Sequence, residues 1–228
     1  DSVGNASAWS TTDSFARDTA APANPALSAP ADGALVASRT VSLSWSAVGD
    51  AAAYLVDYSQ SPTLSTWDRI ETTLTSRGVA VSADGDWYWR VLSRDAAGNL
   101  SPVATAQIRH LQVDTVAPET PALVAVTSPT NDSTPTLGWS AVTGAASYLL
   151  TLDGVATTVA GTSHTPGAAL SDGSHTWTVA AQDAAGNRSV DAPAQSFVVD
   201  TTAAPVPVPV AYAPDPTNSA SPAVAWAA

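Results

Sequence analysis

Leu43-Ser44-Trp45-Ser46-Ala47-Val48 returns 94 positions later as Leu137-Gly138-Trp139-Ser140-Ala141-Val142. Two copies of a Trp-centred hexapeptide, in a chain of 228 residues with only 8 Trp, mark a repeated unit rather than chance. Val41, Leu43 and Trp45 alternate with Ser42 and Ser44, the period-two pattern of a half-buried strand. Outward from this strand the two copies stay in step. Tyr54 and Tyr148 keep the offset of 94, each behind a Gly and a short Ala-rich stretch. Asp84-Gly85, Trp89, Val91 and Asp95-Ala96-Ala97-Gly98-Asn99 then match Asp172-Gly173, Trp177, Val179 and Asp183-Ala184-Ala185-Gly186-Asn187, 88 positions apart. The Asp-x-x-Gly-Asn element also occupies Asp1 to Asn5. Asp-Thr followed shortly by Pro closes each copy, at Asp18-Thr19, Asp114-Thr115 and Asp200-Thr201. A further Trp, Trp226, follows Trp139 by 87 positions.

The chain thus divides into four parts. Residues 1–19 form the C-terminal part of a preceding repeat, its last hairpin and strand. Residues 20–115 and 116–201 are whole repeats, and 202–228 are the N-terminal part of a following one. The two ends together lack a third-strand Tyr and a sixth-strand aromatic run, so they do not complete one sandwich between them. The expectation is a segment of a longer polypeptide that continues through whole repeats on both sides.

Within each repeat the elements are strands. Tyr54, Val56 and Tyr58 alternate with Leu55 and Asp57, and Trp87, Trp89 and Val91 with Tyr88 and Arg90. Nowhere do apolar residues recur at helical spacing over three turns. Asp153-Gly154, between Leu150-Thr151-Leu152 and Val155-Ala156-Thr157, is a two-residue hairpin signal. Asp-Ala-Ala-Gly-Asn suits a short hairpin loop with Gly in the left-handed region and Asp capping the turn. About seven strands in roughly 90 residues give an all-β fold of tandem seven-stranded antiparallel β-sandwiches.

The second-strand Trp in Leu-x-Trp-Ser (Trp45, Trp139), the third-strand Tyr (Tyr54, Tyr148) and the sixth-strand run ending in Asp-x-x-Gly-Asn-x-Ser resemble the fibronectin type III family. The form is that of the Ig-like sandwiches common in tandem bacterial surface proteins. The resemblance covers nearly the whole chain and implies an extracellular, cell-surface or secreted location. It implies a fold far more sharply than a function, because such modules serve many roles.

Composition narrows the partners. Net charge is −12, and all eight basic residues are Arg. Nucleic-acid binding rests on clustered positive charge, which this chain lacks. No apolar run approaches the ~20 residues that span a bilayer, so no membrane insertion is expected. Without Lys there are no Lys–Asn isopeptide crosslinks, and without Cys there is no disulfide framework. Of the 20 acidic residues only Glu71 and Glu119 are Glu, a bias toward turns and caps over helices.

Catalytic signals are thin. His110, His164 and His175 occupy unrelated repeat positions, and no zinc spacing or nucleophile elbow occurs. No enzymatic activity is expected, and no cofactor is required. The repeated Trp are core residues by position, whereas Trp9 and Trp67 do not recur and offer exposed platforms for sugar stacking. Asn5, Asn99, Asn131 and Asn187 match the glycosylation pattern, but three of the four fall in the repeated hairpin, where Asn has a structural reason to stand. There is no Arg-Gly-Asp.

Recurrent Asp is the strongest chemical signal. With seven antiparallel strands the chain enters at one pole and leaves at the other, so repeats stack head to tail. Linker residue Asp114 then falls between Asp84 and Asp86 of one repeat and Asp183 and Asn187 of the next. Converging oxygens suit calcium. The resemblance adds that related bacterial adhesin repeats are stiffened by calcium between domains. Asp84, Asp114 and Asp183 are the metal candidates. The overall expectation is a non-enzymatic structural spacer, part of an extracellular stalk, adhesin or fibre, whose partners are neighbouring repeats or further copies in a filament. The alternative is a spacer within a secreted carbohydrate-active enzyme.

Overall fold

In the computed structural model the described residues are Val3 and 17–207. The expectations placed on Asp1 to Asn5, Trp9, Trp226 and the strands of 208–228 lie outside them. The chain divides into two compact units, one of Asp1–Pro118 with Gln182–Ser189 and one of Glu119–Ala181 with Val190–Ala228.

The first repeat contains β1 (Leu27–Ala29), β2 (Ala34–Val36), β3 (Thr40–Trp45), β4 (Ala53–Ser59), β5 (Asp68–Thr72), β6 (Ser76–Ala80), β7 (Gly85–Arg94) and β8 (Arg109–Val113). They form two sheets, ordered β1-β3-β6 and β2-β8-β7-β4-β5. Counting β1 and β2 as two halves of one strand on opposite sheets, this is the seven-stranded sandwich. The second repeat contains β9 (Leu123–Val124), β10 (Leu137–Trp139), β11 (Ser147–Leu152), β12 (Val155–Val159), β13 (Ser163–His164), β14 (Gly173–Gln182) and β15 (Gln195–Val199). Its sheets are β13-β10-β9 and β12-β11-β14-β15. Thr130 bridges Val199 in parallel, as β2 pairs with β8 in the first repeat.

Alternating apolar residues from both sheets of each repeat meet in its own core. In the first repeat these are Val41, Leu43, Trp45, Tyr54, Val56, Trp89 and Val91. In the second, Leu137, Trp139, Tyr148, Leu150, Trp177, Val179 and Phe197 play the same part. Trp45 packs edge-on to Tyr54 at 5.7 Å and Trp139 packs against Tyr148 at 5.6 Å. The indole N–H groups of Trp45, Trp89, Trp139 and Trp177 find no acceptor, a cost that burying four large rings outweighs.

The polar letters of the repeated motif have matching duties. Ser46 Oγ accepts from Ala26 N and Ser140 Oγ from Ala122 N, both at 2.9 Å, tying the first strand to the second. Tyr54 Oη accepts from Val48 N and Tyr148 Oη from Val142 N, again both at 2.9 Å. The Asp153-Gly154 turn takes φ +48° and +83°, the left-handed pair that a two-residue hairpin requires.

One expectation needs correcting. The alternation in β4 predicts one solvent-facing side, yet Leu55 and Asp57 are buried as well, and so are Arg90 and Leu92 on β7. Leu55 and Leu92 are cross-strand partners. The outer face of this sheet in the first repeat is therefore partly covered, whereas β11 of the second repeat keeps its alternation.

Candidate functional site

The repeated hairpin is built alike in both repeats. Asp95 Oδ1 accepts from Asn99 N and its Oδ2 from Asn99 Nδ2, each at 2.8 Å. Asp183 receives the same two bonds from Asn187 at 2.8 and 2.9 Å. Gly98 and Gly186 stand at φ +92° and +98°, which only Gly adopts without strain. The hairpin is capped as expected, although it continues only as single bridges, Arg94 to Leu100 and Gln182 to Arg188. The Asn side chain also reaches back along the chain. Asn99 Nδ2 donates to the Asp18 carbonyl at 3.2 Å and Asn187 Nδ2 to the Asp114 carbonyl at 2.8 Å.

These bonds account for the three metal candidates. The Asp84 carboxylate accepts from Thr115 N and Oγ1 and pairs with Arg39 at 2.8 Å. The Thr115 backbone bond, followed by the Arg39 bond, holds its pKa below the usual carboxylate value. The Asp114 carboxylate caps Val116 N at 3.0 Å. Burial works to raise the Asp183 pKa, but the bonds from Asn187 and neighbouring amides outweigh it and hold it low. Among the described residues no group of three or more His, Cys, Asp or Glu gathers where it would hold a metal ion. Both carboxylate oxygens of Asp84 and of Asp183, and Oδ1 of Asp114, accept hydrogen bonds from donors of the protein.

The histidines serve different local roles. His110 Nε2 meets Asp86 at 2.8 Å on the surface. His175 is buried, with Nδ1 2.6 Å from Asp153 Oδ2 and Nε2 2.8 Å from the Ser171 carbonyl. Both ring nitrogens face acceptors, which only the imidazolium satisfies by donating twice. The Asp153 bond, then the Ser171 carbonyl, raise the His175 pKa against the effect of burial. Neither nitrogen of His175 is paired with a hydroxyl nucleophile.

The first repeat alone carries a charged and aromatic cluster. Asp57, fully buried, is gripped by Arg69 through Nε at 2.6 Å and Nη2 at 2.9 Å, and by Arg90 Nε at 2.9 Å. Arg69 and Arg90 face Asp57 from the two neighbouring strands, β5 and β7. Both guanidinium groups lie under the Trp67 ring, 5.7 and 5.5 Å from its centre. Beside them, Tyr58, Ser59, Gln60, Ser61, Thr66, Trp67, Asp68 and Trp87 line an open groove of about 320 Å³. Sequence reasoning singled out Trp67 because it does not recur; it missed Asp57, Arg69 and Arg90. Their signal was present: charge at three successive cross-strand positions where the second repeat has Thr151, Ala156 and Thr178.

Comparison with known proteins bears on the fold and its setting. Residues 125–201 match the profile of the bacterial Ig-like domain family. Chitinase A1 of Niallia circulans is 37% identical over 140 residues, a match covering 58% of this chain but only 19% of that enzyme. Among solved structures, the fibronectin(III)-like modules of Clostridium thermocellum CbhA superpose with TM-score 0.54 and 14% identity, over 77% of this chain and 93% of theirs. The FN1-FN3 domains of chicken CNTN1 superpose with TM-score 0.59 and 15% identity, over 78% of this chain and 66% of theirs. With its repeated motif, its two sandwich cores and these likenesses together, the chain is made of fibronectin type III-like, Ig-like repeats.

Proposed function

We propose that this segment is a non-catalytic spacer of a secreted bacterial protein, and that its parent is a carbohydrate-active enzyme. The spacer role follows from where the repeated polar residues are spent. Ser46, Tyr54, Asp95 and Asn99 and their counterparts bond to the backbone or to each other, so the recurring motif builds modules rather than chemistry. The observation that carries the parent is the 37% identity to a small part of an enzyme named a chitinase. Similarity confined to a fraction of a larger protein fits a module placed beside other domains. The stalk, adhesin or fibre reading uses the same module, and nothing comparable in sequence similarity favours it.

The decisive measurement is the composition of the full-length polypeptide from its natural source, by mass spectrometry of the secreted proteins. A glycoside hydrolase domain in the same chain, with a few repeats, is the expected result. Tens of further repeats and no catalytic domain would overturn it in favour of a fibre. Scattering from the segment 1–228 tests the spacer geometry, since head-to-tail repeats give an elongated particle and side-by-side repeats a compact one.

A further inference from the structure

We propose that the groove beside Trp67 in the first repeat is a binding site for a neutral saccharide. This goes beyond the spacer reading, which stands or falls separately on the composition of the parent polypeptide.

The loop that builds the groove is superfluous to the sandwich. In the first repeat β4 and β5 make five residue pairs, Tyr54 with Thr72 through Tyr58 with Asp68. In the second, β11 and β12 also make five, Tyr148 with Val159 through Leu152 with Val155. The second repeat joins its strands with Asp153-Gly154 alone, whereas the first inserts residues 60–67. Identical pairing is thus reached without the insertion, and its side chains are free to do something else.

Those side chains are held ready. Leu64 is buried to 2% exposure with φ +50°, anchoring the middle of the loop. Ser61 Oγ bonds Ser65 Oγ at 2.9 Å, and Ser59 Oγ accepts from Ser61 N at 3.0 Å. Trp67 is 45% exposed, the most exposed aromatic ring of the described core strands and their loops. Arg69 and Arg90, which both hold the one Asp57 carboxylate, lie 5.7 and 5.5 Å from the centre of the indole and fix it in place, while 45% of Trp67 stays in solvent. A ring fixed in this way loses little freedom when a ligand stacks on it.

The polar lining selects the ligand. Gln60, Asp68 and Tyr58 line the groove, and among the described residues their side chains have no hydrogen-bond partner. An amide, a carboxylate and a phenol offer donors and acceptors in the mixture that vicinal hydroxyls require. Trp67 supplies the flat apolar surface that the C–H face of a sugar ring covers. The volume lies at the small end of ligand pockets, on the order of 300–1,000 Å³, which suits one or two sugar rings rather than a folded partner. Asp68 in the groove and a net charge of −12 disfavour uronic or sulfated glycans.

The test is affinity electrophoresis of the whole 1–228 chain in gels containing hydroxyethyl cellulose, glycol chitin or galactomannan, with alginate as the anionic control. Calorimetry with the matching hexaoses gives Kd. At least one neutral glycan should retard the chain and alginate should not. Trp67→Ala should abolish the retardation. That substitution also uncovers the Arg69–Asp57–Arg90 cluster, so Gln60→Ala, which loses no hydrogen bond to any described residue, is the second variant. It should weaken binding by roughly 3–10-fold with an unchanged circular dichroism spectrum. A wild-type chain that no neutral glycan retards would overturn the proposal. So would binding that both variants leave intact, which would place the ligand elsewhere.

Discussion

The two repeats share a core and differ on the outer face of one sheet. Their inward residues correspond one to one, Trp45 with Trp139, Tyr54 with Tyr148 and Trp89 with Trp177, all nearly fully buried. On the outer face the first repeat places Asp57, Arg69 and Arg90 under Trp67, where the second has Thr151, Ala156 and Thr178. One sandwich thus tolerates two solutions for the same surface. The short Thr and Ala side chains bury no charge, and the Thr178 hydroxyl donates to the Ala192 carbonyl. A buried carboxylate is tolerated only because two guanidinium groups and an aromatic lid replace its hydration.

The largest effect should come from the shared core: Trp45→Ala and Trp139→Ala should each cost about 3–5 kcal/mol. Each loss should fall on the substituted repeat, as repeat proteins divide their stability locally. Chemical denaturation followed through the remaining Trp checks this, and equal destabilisation of both repeats by either variant would contradict it.

Next comes the face that differs. Asp57→Ala leaves Arg90 buried without its partner and should destabilise the first repeat by about 3 kcal/mol. Giving the first repeat the residues of the second, with Asp57→Thr, Arg69→Ala and Arg90→Thr together, should cost far less than Asp57→Ala alone, because no charge remains unpaired. If the triple variant were the less stable of the two, the cluster would be a net source of stability.

A smaller, pH-dependent effect belongs to the second repeat. The folded pKa of His175 lies above its ordinary 6.5. Its contribution is therefore complete below that value and is lost as pH rises through the folded pKa. For Asp153, burial raises the pKa but the His175 and Thr176 bonds outweigh it, and the folded value falls below 3.8. Its contribution is complete above 3.8 and lost as pH falls through the folded pKa. Thermal unfolding between pH 5 and 9 should lower the transition of the second repeat at the alkaline end, and His175→Gln should remove that slope. A slope that survives the substitution would assign it to another group.

Calcium should have the smallest effect. Asp84 and Asp183 already receive hydrogen bonds on both carboxylate oxygens. Millimolar calcium or a chelator should leave both unfolding transitions in place. A calcium-dependent rise in either would identify Asp84, Asp114 and Asp183 as ligands.

Everything that repeats was legible in the residues alone. The strand period, the second-strand Trp, the third-strand Tyr and the capped Asp-Ala-Ala-Gly-Asn hairpin are local rules of geometry written twice, so each copy checks the other. Trp67 was legible for the opposite reason, as an aromatic residue without a counterpart. The roles of the unrepeated polar residues, by contrast, depend on which strands pair and where the loops run. Asp57, Arg69 and Arg90 lie 12 and 33 residues apart along the chain and meet because β4 pairs with β5 on one side and β7 on the other. Asp84 read as a calcium ligand from its place near a chain junction, whereas its partners, Arg39 and Thr115, are 45 and 31 residues away. A carboxylate looks the same in sequence whether it is destined for a cation, a guanidinium or a backbone amide. Which donor reaches it first is settled by strand register and loop path, and those are set by the burial of the core.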